Sequence, residues 1–237
     1  MKFFLILPFI TVAVADSLAE DQPNWADEKR FGDYQNAWKS LGQEETTLYY
    51  LTNTTYKDYT LSWGANFSCV VVKETTLYYL TNTTYKDDTL SWGSNFSCVV
   101  VKETSKNESQ KMVTSRFVFK NASSTGREAV FQVEESVKAV FFYNYTKNEN
   151  SIEYLVDGNE QYIDPLIYSD ESCDLFYVPY ANGKQGGLEL WVNGDHISKV
   201  PQHCSFFIEY FRKKEDTVYT KYNAEECGEV VTKISSS

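Results

Sequence analysis

The chain has 237 residues, long enough for one large β domain with a full core. Its formal net charge is −11, from 33 acidic and 22 basic residues. That charge argues against nucleic acid or an anionic membrane as a partner and suits cationic ligands. The two histidines, His196 and His203, lie in no nucleophile or metal motif, so the chain reads as a non-enzyme with no metal and no cofactor.

Residues 1–15 have the form of a secretory signal: Lys2, an apolar run from Phe3 to Val12, and a small-residue cleavage site at Ala13-Val14-Ala15. The run is too short to span a bilayer. A single secreted, extracellular, monomeric domain is expected over 16–237. Seven N-x-S/T sequons fit a glycoprotein: Asn53, Asn66, Asn82, Asn95, Asn107, Asn121 and Asn144. Asn66 and Asn95 sit close to cysteines in strand-like runs, where glycosylation is disfavoured.

Residues 24–41 are expected to be helical. Tyr34, Trp38 and Leu41 fall on one helical face, and Gly42 marks the stop. A tandem repeat follows. Residues 45–73 and 74–102 differ only at Tyr59 against Asp88 and at Ala65 against Ser94. Each copy reads as two strands joined by a Trp-Gly loop. Two copies are too few for a solenoid, so the pattern is a duplicated hairpin within one domain. Copy two has Asp88 where copy one has Tyr59, and it runs directly into the next strand. Asp88, Trp92 and Cys98 are therefore assigned to the working fold, with copy one outside it or enlarging it.

Strand-like runs continue at 112–120, 128–134, 137–145, 151–156, 160–168, 172–179 and 187–193, separated by turn residues such as Asn182-Gly183. A helix is expected after Pro201, carrying Phe207, Ile208 and Phe211. Short consecutive antiparallel strands favour an all-β up-and-down barrel with a helix at each end; a sandwich is the alternative. Four of the five cysteines make two bridges. Cys173 pairs with Cys204, and Cys227 takes Cys98 or its duplicate Cys69.

The segment from Cys173 to Cys204 carries the chemistry. In register, Asp174 and Glu189 share a strand-pair face with Trp191. Inside a barrel, two carboxylates and an indole form a receptor for a small organic cation through charge-assisted hydrogen bonds and cation–π attraction. On residues alone the other reading stays open: a stapled hairpin whose acids face water.

An ordered set of motifs resembles the histamine-binding salivary lipocalins of ticks. The set is DQPNWADEKRFGDYQNAWKSL at 21–41, the Tyr-Tyr strand, the Trp-Gly…Cys loop, YSDESCDLFYVP at 168–179 and ELW at 189–191. It covers essentially the whole mature chain, one repeat copy apart. The resemblance implies a lipocalin barrel with two internal amine sites, sequestering histamine or a related biogenic amine and so suppressing host inflammation. It places Asp174 and Glu189 in one site, near Trp191 and Ile152. It places Asp88 and Glu135 in the other, with Tyr85, Tyr154 and Tyr162 as aromatic wall and Trp92 between the sites. One extra residue before Trp92 leaves Asp87 as an alternative to Asp88. Ile152 and Tyr162 stand where the family shows phenylalanine. Competing functions are a serotonin binder, a carrier of a lipid mediator such as a leukotriene, and a protein–protein inhibitor on the same scaffold.

Overall fold

The computed structural model describes residues 22–41, 49–60, 77–89, 93–94, 96–122, 128–156 and 160–235. The strands in chain order are β1 (Tyr49–Thr60), β2 (Leu77–Thr89), β3 (Gly93–Ser94), β4 (Ser97–Asn107), β5 (Met112–Ala122), β6 (Glu128–Val140), β7 (Ser151–Val156), β8 (Glu160–Ser169), β9 (Cys173–Val178), β10 (Gly187–Asn193) and β11 (Tyr219–Thr220). The helices are α1 (Glu28–Phe31), α2 (Ala37–Leu41), α3 (Ala181–Lys184), α4 (Gln202–Phe211) and α5 (Ala224–Ser235).

Eight strands form the wall. β2, β4, β5, β6, β7, β8, β9 and β10 pair antiparallel in that order, and β10 returns to β2 at Asn193 opposite Tyr78. The sheet therefore closes as a barrel rather than splitting into a sandwich, and closure removes the free edges. Alternation along each strand fixes its two faces. On β6, Glu134 and Ser136 are exposed while Val137 and Ala139 are buried.

The first repeat joins the wall through β1. β1 runs parallel to β2 with equivalent residues side by side, Tyr50 beside Tyr79 and Thr54 beside Thr83. It also meets β10 in the register that β2 uses, with Tyr49 opposite Asn193. Near-identical sequences thus find the same wall position. The rest of copy one, including Cys69, lies outside the described residues.

Three expectations are corrected. The helix over 24–41 is broken into α1, a turn at Gly32–Tyr34, and α2. Gln35 breaks it: its side chain is buried and donates to the carbonyls of Trp25 and Ile167 at 2.9 and 2.8 Å, while the Tyr145 hydroxyl donates to it. Tyr34 consequently leaves the face of Trp38 and Leu41 and is 52% exposed. Gly42 lies outside the described residues. Second, runs 128–134 and 137–145 are one strand, β6, with no turn at Glu135-Ser136; residues 141–150 form a loop. Glu28 pins that loop by accepting the backbone N–H groups of Thr146 and Lys147 at 3.0 and 2.7 Å. Third, α5 is an additional C-terminal helix, burying Cys227, Val230 and Ile234.

The expected helix after Pro201 forms as α4, with Ile208 fully buried. Burying one such side chain is worth about 1.5–3 kcal/mol. Cys173 and Cys204 are bonded across 6.2 Å between Cα atoms, tying β9 to α4; Cys98 and Cys227 are bonded across 5.9 Å, tying β4 to α5. With α4 against its outer face and the lumen against its inner one, β10 is buried at every position.

Candidate functional site

The lumen holds a cavity of about 100 Å³. Its walls are inward residues of successive strands at two-residue spacing: Val113, Ser115 and Phe117 from β5, Glu135 and Val137 from β6, Ile152 and Tyr154 from β7. Asp164 of β8, Asp174 and Phe176 of β9, and Glu189 and Trp191 of β10 complete the ring, and Ser40 and Leu41 of α2 cover it. Five carboxylates line this space: Glu103, Glu135, Asp164, Asp174 and Glu189. Among the described residues no lysine, arginine or histidine does so.

The β9–β10 register brings the motif residues together. Trp191 lies opposite Asp174, and Glu189 lies opposite Phe176. Asp174, Glu189 and Trp191 therefore share the lumen face, and the solvent-facing alternative is set aside. The hairpin is closed by α3, where Asn182 and Gly183 take left-handed φ values of 52° and 65° that Asn and Gly tolerate. Glu189 is held from two sides: the Tyr85 hydroxyl donates to Oε1, and Trp191 Nε1 donates to Oε2 at 2.9 Å.

Glu135 faces inward because its β5 partner is Ser115, another lumen residue. Its neighbour Glu134 turns outward and pairs with Arg116 at 2.6 Å. Glu135 makes no hydrogen bond among the described residues, and loss of water pushes its carboxyl up to about 7. Asp174 is 1% exposed, and its Oδ1 has no hydrogen-bond partner among the described residues. Burial raises its carboxyl to about 7; the Ser169 and Ser40 hydroxyls offset this only in part, and Asp170 adds to it.

Sequence reasoning missed Asp164, Tyr180 and Glu103. Asp164 accepts the hydroxyls of Tyr154 at 3.0 Å and Tyr180 at 2.5 Å. Burial, followed by the charge of Glu189, holds its carboxyl well above the ordinary range, and Glu135 adds to this. A signal existed for Asp164: it lies opposite Ile152 in the β7–β8 ladder, and Ile152 was already placed inside.

Not every sequence-predicted residue lines the cavity. Tyr162 stands behind it, packed on Tyr154 at 6.1 Å and on Tyr180 at 4.7 Å. Tyr85 is fully buried and reaches the site through Glu189. Asp87 is buried at 5% exposure, whereas the Asp88 side chain and Trp92 lie outside the described residues.

A family profile described as "Tick histamine binding protein" matches residues 25–77 and 75–229, the two matches meeting where the second repeat begins. A male-specific histamine-binding salivary protein of Rhipicephalus appendiculatus is 31% identical over 214 residues, covering 88% of this chain and 89% of that one. Female-specific histamine-binding protein 1 of the same tick is 30% identical over 204 residues, covering 86% and 87%. The structure of Japanin from that species, bound to cholesterol, aligns with a TM-score of 0.39 and 13% identity over 55% of this chain and 83% of the other.

Proposed function

The chain belongs to the tick histamine-binding protein family, and on that premise we propose that it is a secreted salivary lipocalin that holds histamine, or a closely related amine, inside its barrel. The observation that carries this reading is the lumen itself, which gathers five carboxylates and, among the described residues, leaves Asp174 Oδ1 without a donor. An isolated buried carboxylate is costly and tends to protonate. An ammonium group supplies both a donor and the opposite charge, so the cavity is suited to a cation. Trp191, Tyr154 and Phe117 offer ring faces and edges beside the acids.

Size supports a small ligand. A cavity of about 100 Å³ is well above the roughly 10–15 Å³ that one water needs, and it has room for a small organic molecule. A lipid mediator with a carboxylate would also meet five acids and no lining cation among the described residues. Asp174 and Glu189 take one end of the amine beside Trp191. Glu135 and Asp164, with Tyr154 and Tyr180, take the other end or a second molecule. The protein acts by holding the amine, not by converting it, and so lowers free histamine in the host.

Calorimetric titration of mature protein with histamine and with serotonin tests this. Saturable, exothermic histamine binding is expected. If neither amine binds and an apolar carboxylic acid does, the lipid-carrier reading replaces it.

A further inference from the structure

A second cleft, of about 280 Å³, lies outside the barrel. It opens where residues 23–25, the 141–145 loop, the β9–α3–β10 hairpin and the C-terminal end of α4 converge. Its walls are aromatic. Trp25 meets Tyr143 edge-on at 5.5 Å and 83°, and meets Tyr177 at 5.7 Å and 55°. Phe211, the last residue of α4, adds a further apolar side. Gly186 makes this shape possible: it has φ +79°, and a Cβ there would lie 2.2 Å from the Tyr177 hydroxyl oxygen. Only glycine lets the phenol ring lie so close to the backbone.

The chemistry at one end is opposite to that of the lumen. Arg212 and Lys213 line the cleft there, with Asp216 as the one acid. Arg212 is held in place by Nε on Glu209 at 2.5 Å and Nη1 on the Asp216 carbonyl at 2.7 Å. Its Nη2 donates to no group among the described residues. The Asp216 carboxylate is turned to the backbone, accepting Lys213 N–H at 3.1 Å. Fixed ring walls, a fixed guanidinium with donors to spare and a nearby ammonium suit a flat ring bearing an oxyanion.

We propose that this cleft is a second binding site, independent of the amine cavity, for a small planar aromatic anion such as an aromatic carboxylate or sulfonate. The ring lies between Trp25, Tyr177 and Phe211, and the anion meets Arg212 and Lys213. The amine cavity rejects the same molecule by charge, so one protein carries two sites of opposite electrostatic preference.

The probe is 8-anilinonaphthalene-1-sulfonate, titrated into the mature protein with saturating histamine present and followed by its fluorescence. One saturable event that persists under histamine and weakens as salt rises is expected. Arg212→Gln combined with Lys213→Gln should weaken it at least about tenfold, and Asp216→Asn should not weaken it. Gly186→Ala should weaken it by displacing Tyr177. If the double variant fails to fold, the exposed Lys213→Gln alone should still weaken binding about threefold. No bound probe, displacement of the probe by histamine, or unchanged affinity in the charge variants would each overturn the proposal.

Discussion

Two kinds of carboxylate share the lumen. Glu189 and Asp164 are held, each by two aromatic donors: Tyr85 and Trp191 for the first, Tyr154 and Tyr180 for the second. Asp174 and Glu135 are nearly bare: Asp174 has only the Ser169 and Ser40 hydroxyls and one oxygen with no partner among the described residues, and Glu135 makes no hydrogen bond among them. The held acids have their charge partly satisfied by the protein. The bare acids depend on a ligand for it. The contrast separates what the fold needs from what the ligand needs, because a held acid serves both and a bare acid serves the ligand alone.

The largest expected effect is in binding. Glu189→Gln and Asp174→Asn should each weaken histamine by roughly 1.5–3 kcal/mol, the scale of a charge-assisted hydrogen bond. They should part company in the ligand-free protein. Glu189→Gln replaces one accepting oxygen with an NH2 facing a donor and removes the charge from the other bond, so it should lower the melting temperature. Asp174→Asn removes a buried charge that two serine hydroxyls offset only in part, and should melt no lower than wild type at pH 8. Equal destabilisation by both would erase the distinction. Glu135→Gln and Asp164→Asn should repeat the pattern, Glu135→Gln costing affinity without stability.

The next effect is in pH. Asp174 and Glu135 have folded-state values near 7, above the ordinary carboxylate range, so the folded ligand-free protein binds more protons than the unfolded chain between about pH 4 and 7. These two groups therefore take stability away as pH rises through that window. Histamine should reverse the trend, since its ammonium favours the charged acids. Affinity should fall as pH drops below about 7. Thermal melts at pH 5 and pH 8, with and without histamine, read both signs at once.

A smaller effect separates the two donors on Asp164. Tyr180→Phe removes one hydroxyl from that acid and should cost about 1 kcal/mol of stability, with a minor change in affinity. The smallest expected effect is deletion of 45–73. β1 and β2 meet β10 in one register, so β2 can take the whole ladder when β1 is absent. The shortened protein should remain folded and bind histamine at least as well. Loss of both folding and binding would mean that β1 is an essential part of the wall.

Much of this was legible in the chain. Alternation and turn residues yield the antiparallel barrel, and Cys-Asp-Leu…Glu-Leu-Trp yields one face with two acids and an indole. Glu135 was legible only through the resemblance, because Glu134 and Glu135 are adjacent and register alone decides which faces inward. Asp164 sits beside a proline in a strand that reads as ordinary β sequence, so only its pairing with Ile152 signals it; its partner Tyr180 comes from beyond the next strand. The N-terminal helix was overread because Gln35 looks helix-compatible locally, while hydrogen bonds to Trp25 and to the distant Tyr145 and Ile167 hold it elsewhere. The spacing of Cys227, Val230, Val231 and Ile234 did carry a helical signal, masked by the polar residues between them. The external cleft joins four distant segments and has no sequence signature.

Burial raises the carboxyls of Asp174 and Glu135, so holding an amine should draw protons from them. Calorimetry of histamine binding at pH 6.5, in two buffers of different ionisation enthalpy, measures this directly. Net proton release on binding is expected, reduced in Asp174→Asn and in Glu135→Gln. Histamine binding with no proton exchange, unchanged in both variants, would contradict it.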